Sequence, residues 1–247
     1  MPAHIVTAAV VIIGNEILSG RTQDTNLRDI ALTLGAWGIR VTEARVIPDV
    51  EAEIVSVLNE VRARHAYVFT TGGIGPTHDD ITAESVAAAF GVPLVEHPEI
   101  AALLRQRQAP PDIMAARLRM ARVPAGAGLI QNVTGGPPGF YIGNVYVMAG
   151  IPAVMRGMLG SLAGQLSGGA VVESRSVSVY LPESAIATPF AELQAQQPDI
   201  DMGSYPFSRD GRYGTSLVLR GTDVSALERA LESVRAMIVA AGGTPED

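Results

Sequence analysis

TTGGIGPTHDDITAES, at positions 70 to 85, follows the apolar run AYVF (66–69) and precedes the helical pattern VAAAFG (86–91). Its glycines, Gly72, Gly73 and Gly75, permit backbone conformations and a close approach of ligand that side chains would block. A helix that begins near Asp80 or Ile81 would add free N–H groups and the positive end of its dipole. The stretch therefore fits a phosphate-binding loop between a strand and a helix, and it fits a plain tight turn equally well.

Two adjacent carboxylates, Asp79 and Asp80, lie in the same stretch. As a helix cap, any one of Asp79, Asp80 and Thr82 would be sufficient. Two carboxylates beside an anion site repel the anion unless they bind a metal, orient a hydroxyl group or take part in proton transfer. The pair is therefore interpreted as a cap, a metal site or both.

The stretch belongs to a repeated alternation of strands and helices. Apolar β-rich segments at 5–13, 39–47 and 66–71 alternate with helical patterns at about 24–36, 50–64 and 81–90. This alternation predicts βαβ crossovers and a mainly parallel α/β sheet that helices cover on both faces. The nearly continuous Val and Ile of the first segment are typical of a central strand that is buried on both sides.

The rest of the chain is predicted to divide in two. Helical signals continue at 97–108 and 111–124, a hairpin is predicted around Gly143 and Asn144, and Pro152 opens another helix. GQLSGGA (164–170) marks a predicted boundary between a domain at 1–168 and a smaller α+β domain at 169–247. In the smaller domain we predict strands at 171–180, 200–207 and 213–220, and helices at 183–195 and 223–241.

The composition limits the classes of function. The formal net charge of −7 argues against nucleic acid as the main partner. All 18 basic residues are arginine, which excludes a phosphate-loop lysine and a lysine Schiff base. The lack of cysteine excludes disulfides and thiolate chemistry. The apolar run at 5–13 is too short to cross a bilayer, so we expect no membrane association and a cytoplasmic location.

A second polar loop, GNEILSGRTQDTN (14–26), follows the first strand. It should lie at the same carboxyl edge of the sheet, where open parallel sheets bind ligands. Asp24 or Thr25 could simply cap the next helix, but capping leaves Glu16 and Asn26 unexplained. Asp49 follows the second strand, and its spacing favours a plain N-cap of the helix at 50–64.

Four ordered motifs carry a family resemblance. TTGGIGPTHDDITAESVAAAFG (70–91) resembles the signature of the molybdopterin-binding (MoCF, MoaB/Mog-like) fold and, in its GPTHDD form, the N-terminal region of the CinA family, competence/damage-inducible protein A. The agreement extends to GNEILSGRTQDTN, to VIPD (46–49) and to GGPPGF (135–140). The resemblance implies a three-layer α/β/α domain, often a homo-oligomer, whose carboxyl-edge pocket takes a phosphorylated pterin or nucleotide.

The resemblance also implies roles for single residues. The loop glycines would hold phosphate, Asp80 matches the first residue of a D-x-T-x-E element, and Asp49 matches an aspartate implicated in adenylyl transfer. The catalytic candidates are Asp49, Asp80 and Glu84, and the candidates for binding Mg²⁺ or a similar ion are Asp49, Asp79 and Asp80. The predicted ligand-binding residues are Glu16, Ser19, Gly20, Asp24, Asn26, Thr71, Gly72, Gly73, Gly75, Pro76, Thr77, Thr82 and Gly139.

The function implied first is metal-dependent hydrolysis of an ADP-ribose-like nucleoside diphosphate compound. The alternatives are binding or adenylation of molybdopterin in molybdenum cofactor biosynthesis, and nucleotide binding without catalysis. The region from 171 is similar to the KH-like linker domain of CinA-like proteins but has no G-x-x-G loop for nucleic acid. Because the sequence stops before the family's amidohydrolase domain, we expect no nicotinamide mononucleotide deamidation.

Overall fold

A computed structural model of the protein describes residues 5–246. The described chain forms two compact units, residues 5–169 and residues 170–246. Within these residues, no helix is both long and apolar enough to cross a membrane. The candidate site lies in the larger unit.

The larger unit is built on a six-stranded sheet. Its strands are β1 (Val6–Ile13), β2 (Ile39–Ile47), β3 (Tyr67–Thr71), β6 (Gly128–Ile130), β7 (Gly139–Ile142) and β8 (Val145–Met148). The short strands β4 (Leu94–Glu96) and β5 (Arg122–Pro124) form a separate antiparallel pair. The helices are α1 (Asn15–Leu18), α2 (Asn26–Ala36), α3 (Glu51–Arg62), α4 (Thr82–Phe90), α5 (Pro98–Arg105), α6 (Pro111–Arg119) and α7 (Pro152–Ser161).

The strand order is β2-β1-β3-β8-β7-β6. The pairs β1/β2, β1/β3 and β3/β8 are parallel, whereas β7 pairs antiparallel with both β6 and β8. The run of Val and Ile in β1 is buried because helices pack on both faces of this strand. Val11 lies in one core cluster with Ile54 of α3, while Val10 lies in the other with Ile30 of α2. The predicted three-layer, mainly parallel α/β/α arrangement is confirmed.

This topology brings three loops together. Strands β2, β1 and β3 are neighbours and run parallel, so their carboxyl ends lie at one edge of the sheet. The loop after β1 is therefore flanked by the loop after β2 on one side and by the glycine loop after β3 on the other. The predicted polar residues of all three loops come from this edge.

The smaller unit consists of β9 (Glu173–Val179), α8 (Glu183–Gln196), β10 (Asp201–Arg209), β11 (Arg212–Gly221) and α9 (Val224–Ala240). Its antiparallel sheet has the order β10-β11-β9. Val177, Leu217 and Leu219 of the sheet share a core cluster with Ile186 of α8 and Leu231 of α9. The predicted smaller α+β unit is confirmed in its class.

One predicted helix is shorter than expected. The helical pattern at 111–124 ends at Arg119, and residues Arg122–Pro124 form strand β5 instead. Val123 and Pro124 are buried in this strand, so its pairing with β4 overrides the helical periodicity. The change of direction at Met120 places the residues on either side of it around a cavity.

Candidate functional site

The glycine loop after β3 is held tightly against the end of β1. Gly72 has φ 106° and Gly73 has φ 66°, in the region that side chains rarely adopt. A Cβ atom on Gly72 would lie 2.1 Å from the carbonyl oxygen of Ile13, and one on Gly73 would lie 2.2 Å from Thr82 Oγ1. The packing of the loop therefore requires glycine at both positions, independently of any ligand.

Thr82 fastens this loop to helix α4. Its side chain is fully buried, its Oγ1 donates to Gly72 O at 3.0 Å, and its N–H donates to Gly73 O at 3.0 Å. Helix α4 begins at Thr82, and no side chain caps it from the N-cap position, Ile81. The prediction that Asp79, Asp80 or Thr82 is the N-cap of this helix is wrong, because Asp80 and Thr82 form bonds to the loop instead.

Asp80 closes a small turn with Thr77. Asp80 Oδ2 accepts hydrogen bonds from Thr77 N at 2.8 Å and from Thr77 Oγ1 at 2.5 Å. Among the described residues, no bond to the other oxygen, Oδ1, is present. Asp79 is exposed, and the pKa of its carboxyl is lowered by the Thr77 side chain, then by its own N–H and the charges of His78 and Arg119. The two adjacent aspartates therefore have different surroundings.

A cavity of about 650 Å³ opens beside the glycine loop. This volume is in the range of cavities that bind nucleotides and other cofactor-sized ligands. Its wall includes the glycine loop and the first turn of α4, where Ala83 and Glu84 line the cavity. Arg119, Met120, Arg122 and residues of the segment from Asn132 to Pro138 also line it. Much of the remaining lining is apolar, including Leu94, Phe140 and Met158.

A side cavity of about 70 Å³ adjoins the loop after β1. Glu16, Thr22 and Gly72 line both cavities. Asn26, which is only 4% exposed, lines the side cavity, and its Nδ2 donates to Thr71 Oγ1 at 2.9 Å and to Gly150 O at 2.8 Å. Its Oδ1 is buried without a hydrogen-bond partner. An acceptor in this state is costly unless a ligand or a water donates to it.

Ten of the predicted residues line one or both cavities: Glu16, Asp24, Asn26, Thr71, Gly72, Gly73, Gly75, Pro76, Asp80 and Glu84. The others, Ser19, Gly20, Asp49, Thr77, Asp79, Thr82 and Gly139, line neither. Most of these have a different contact that accounts for them. Gly139 is buried in β7, where a Cβ atom would lie 2.4 Å from Val147 O, so close strand packing explains this glycine.

The loop after β1 contains both structural and cavity-lining residues. Thr25 is the N-cap of α2 but forms no side-chain cap bond, whereas Asp24 Oδ2, one residue earlier, accepts from Leu27 N in the first turn at 3.0 Å. Ser19 is exposed and donates to Glu16 O, and Gly20 is an exposed turn residue with φ 73°. Glu16 is half-buried between the two cavities. Within this loop, Glu16 and Asn26 are therefore the side chains best placed to meet a ligand.

Asp49 joins two of the loops. The interpretation of Asp49 as the cap of α3 is wrong, because α3 begins at Glu51 with Val50 as its N-cap and no side-chain cap bond. Asp49 Oδ2 instead accepts from Asn15 N at 2.8 Å, at the start of α1. Asp49 thereby fixes the backbone next to Glu16, and its effect on the cavity is to position this neighbouring residue.

Replacement of Asp49 by Ala should lower the free energy of unfolding by about 1 kcal/mol, because Asn15 N loses its acceptor. Asp49→Asn keeps an acceptor oxygen and should recover most of this loss. Urea unfolding followed by circular dichroism measures both values. An Asn variant that is as unstable as the Ala variant would show that the charge of Asp49 matters and the hydrogen bond does not.

Five polar residues of the large cavity were not among the predicted site residues: Thr22, Arg119, Arg122, Asn132 and Thr134. Arg122 Nη1 lies 3.3 Å from Glu84 Oε1, so the predicted catalytic carboxylate Glu84 is held in an ion pair. Asn132 Oδ1 accepts from Thr134 Oγ1 at 2.7 Å and shapes the loop. The arginines at the end of the 111–124 pattern were visible in the sequence, but only the turn at Met120 brings them to the cavity.

The predicted metal set is not assembled. Among residues 5–246, no group of three or more His, Asp or Glu side chains is placed to hold a metal ion. Asp49 is bonded to the loop after β1, Asp80 is bonded to Thr77, and Asp79 faces solvent. These three aspartates therefore do not fit a metal site supplied by the protein alone.

Comparison with known proteins agrees with this architecture. Residues 9–167 match the family described as probable molybdopterin binding domain, and residues 171–244 match the family described as FAD synthase, middle domain. The chain belongs to the probable molybdopterin binding domain family. Within that family it is CinA-like, as the motifs at 14–26 and 70–91 predict.

Three relatives illustrate the similarity. A protein of Archaeoglobus fulgidus is 32% identical over 197 residues, which cover 80% of this chain and 84% of that protein. A CinA-like protein of Gemmatimonas aurantiaca is 33% identical over 199 residues, which cover 74% of this chain and 46% of the relative. The crystal structure of CinA from Thermoplasma acidophilum, described as of unknown function, has a TM-score of 0.59 and 30% identity and covers 64% of this chain and 96% of that one.

Proposed function

We propose that the protein binds a pyrophosphate compound of the nucleotide or pterin type in the large cavity and hydrolyses it, with ADP-ribose as the representative substrate. The observation that carries the proposal is the cavity of about 650 Å³ against the glycine loop and the first turn of α4. Helix α4 has no side-chain cap, and Ala83 and Glu84 of its first turn line the cavity. The N–H groups of such a turn favour a phosphate group.

The cavity also supports hydrolysis by a general base. Asp80 lines it, and the bonds from Thr77 to Oδ2 orient the carboxylate while Oδ1 stays without a protein donor among residues 5–246. In the proposed reaction, a water oxygen bonds to phosphorus, its proton passes to Asp80, and the bond from phosphorus to the bridging oxygen breaks. The products are two phosphomonoesters.

The test is product release from ADP-ribose. We expect AMP and ribose 5-phosphate, detected by liquid chromatography with mass spectrometry, and we expect FAD to yield AMP as well if the cavity accepts larger compounds. The assay is run with and without Mg²⁺, because phosphate substrates themselves carry this ion to a site. Absence of AMP across ADP-ribose, FAD and a panel of divalent ions would contradict the hydrolase proposal.

A second candidate, binding of molybdopterin, is favoured by the family match over residues 9–167 and by the apolar part of the lining. Met120, Phe140 and Met158 offer a surface suited to a flat heterocycle. Competition between molybdopterin and ADP-ribose, followed by isothermal titration calorimetry, separates the two. Tight binding of ADP-ribose without turnover would instead support nucleotide binding without catalysis. A homo-oligomer stays a prediction, which light scattering on the purified chain tests.

A further inference from the structure

We propose that Arg119 binds a second anionic group of the ligand, so that the cavity selects compounds with two phosphate groups over those with one. The inference deepens the proposed function and rests on it. Arg119 is the last residue of α6, is half-buried and lines the large cavity. It comes from a different element than the glycine loop, to which the first phosphate is assigned.

The charged residues around Arg119 compensate it only in part: its charge acts on the exposed Asp79 carboxylate, outside the cavity, and lowers the pKa of that group. The cavity is lined by Glu16, Asp80, Glu84, Arg119 and Arg122. Arg122 pairs with Glu84 at 3.3 Å, and Asp80 accepts two bonds from Thr77. In the described part of the chain, Arg119 forms no salt bridge. A half-buried guanidinium beside apolar surface loses hydration, and an anionic ligand group restores its interactions.

The chemistry of arginine specifies the partner. Its planar guanidinium presents a fork of donors that matches two oxygens of a phosphate or carboxylate group. The first turn of α4 and the glycine loop offer backbone N–H groups for one phosphate, as proposed above. A second phosphate next to it then meets Arg119, whereas a monophosphate satisfies only one of the two anion sites. The ligand class is therefore a diphosphate ester.

Arg119 does not belong to the hydrophobic core, which α6 contacts through the half-buried Leu118. None of the residues of this helix is buried. It is held by side-chain bonds, with Arg117 Nη1 donating to Arg107 O at 3.0 Å and Arg107 Nη2 donating to Gly135 O at 3.3 Å. The loop around Gly135 supplies Asn132 and Gly136 to the same cavity. Replacement of Arg119 should therefore leave the fold intact.

The test compares ADP-ribose, as its non-hydrolysable analogue with a methylene group in place of the bridging oxygen, with AMP by isothermal titration calorimetry on the full chain. We expect Arg119→Gln to weaken binding of ADP-ribose by about tenfold or more, because a charge-assisted bidentate contact is lost. AMP binding should change by less than about twofold, since AMP occupies the backbone site alone. Circular dichroism confirms that the variant is folded.

The matched control is Arg105→Gln. It removes the same charge from the neighbouring helix α5, where Arg105 is exposed, pairs with Glu96 at 2.9 Å and does not line the cavity. Both ligands should bind this variant within about twofold of the original chain, because exposed charges are screened.

Four outcomes would overturn the inference. An unchanged ADP-ribose affinity in Arg119→Gln, or equal losses for ADP-ribose and AMP, removes the two-phosphate assignment while the proposed function stands. An equal loss in Arg105→Gln shows a general charge effect in place of a contact. If the original chain binds neither compound, the proposed function fails, and this inference fails with it.

Discussion

Gly72→Ala is expected to lower the free energy of unfolding of the larger unit by about 3 kcal/mol, through backbone strain and overpacking together. The residue has φ 106°, and the new Cβ atom would lie 2.1 Å from Ile13 O. Ile13 ends strand β1, which lies between β2 and β3, so its carbonyl group cannot move without disturbing the sheet. The glycine loop should shift instead and lose its ligand-binding geometry.

Gly20→Ala is the matched control for this change. Gly20 also has a positive φ, 73°, but a Cβ atom there would meet no atom within 4 Å. The Gly20→Ala change should lower the free energy of unfolding only through conformational strain, by about 1 kcal/mol. Urea unfolding of both variants, with ADP-ribose titration, measures the difference. Equal destabilisation would mean that the close approach to Ile13 does not matter.

Asp80→Asn is expected to reduce ADP-ribose hydrolysis by about a hundredfold or more, since it removes the proposed general base. The amide oxygen of Asn can still accept from Thr77 N, so the turn and the affinity for ADP-ribose should be largely retained. Initial rates of AMP release measure turnover, and calorimetry measures binding. Loss of turnover without loss of binding would assign Asp80 to the chemical step.

Asp79→Asn is the control for the same charge change one residue earlier. Asp79 is exposed and lines neither cavity. The rate of AMP release by the Asp79→Asn variant should therefore stay within about threefold of that of the original chain. Equal losses in both variants would indicate that the acidic loop acts through its total charge. If Asp80→Asn instead keeps full activity, hydrolysis does not use this carboxylate.

Elements formed by local interactions were predictable from the sequence, whereas those formed by contacts between distant residues were not. The strands and helices around the glycine loop were predictable because their periodicity is local and their side chains are buried on repeating faces. Strands β4, β5 and β6 have three residues each and were not predicted, since so short a run carries no periodicity. Helix α1, with four residues, was missed for the same reason.

Within the site, single residues show the same difference between local and long-range contacts. The bond from Asp24 to the first turn of α2 was predictable because its partner, Leu27 N, is three residues away. Asp49 was not, because its partner, Asn15 N, lies on another loop that only the parallel pairing of β1 and β2 brings near. The residues at 119, 122 and 132 carried no site signal, since nothing in their local spacing indicates a cavity.

The sequence by itself determined the layered α/β class and the three polar loops at one sheet edge, because alternating strands and helices dictate that arrangement. It also determined the family, through the four ordered motifs. Tertiary structure alone decided which side chains meet a ligand. It places Asp80 but not Asp79 at the cavity, and it brings Arg119 there. It does not bring Asp49, Asp79 and Asp80 together as a metal site. The reason is distance along the chain: the bond from Asn26 Nδ2 to Gly150 O at 2.8 Å joins residues 124 positions apart, and no local pattern encodes such a contact.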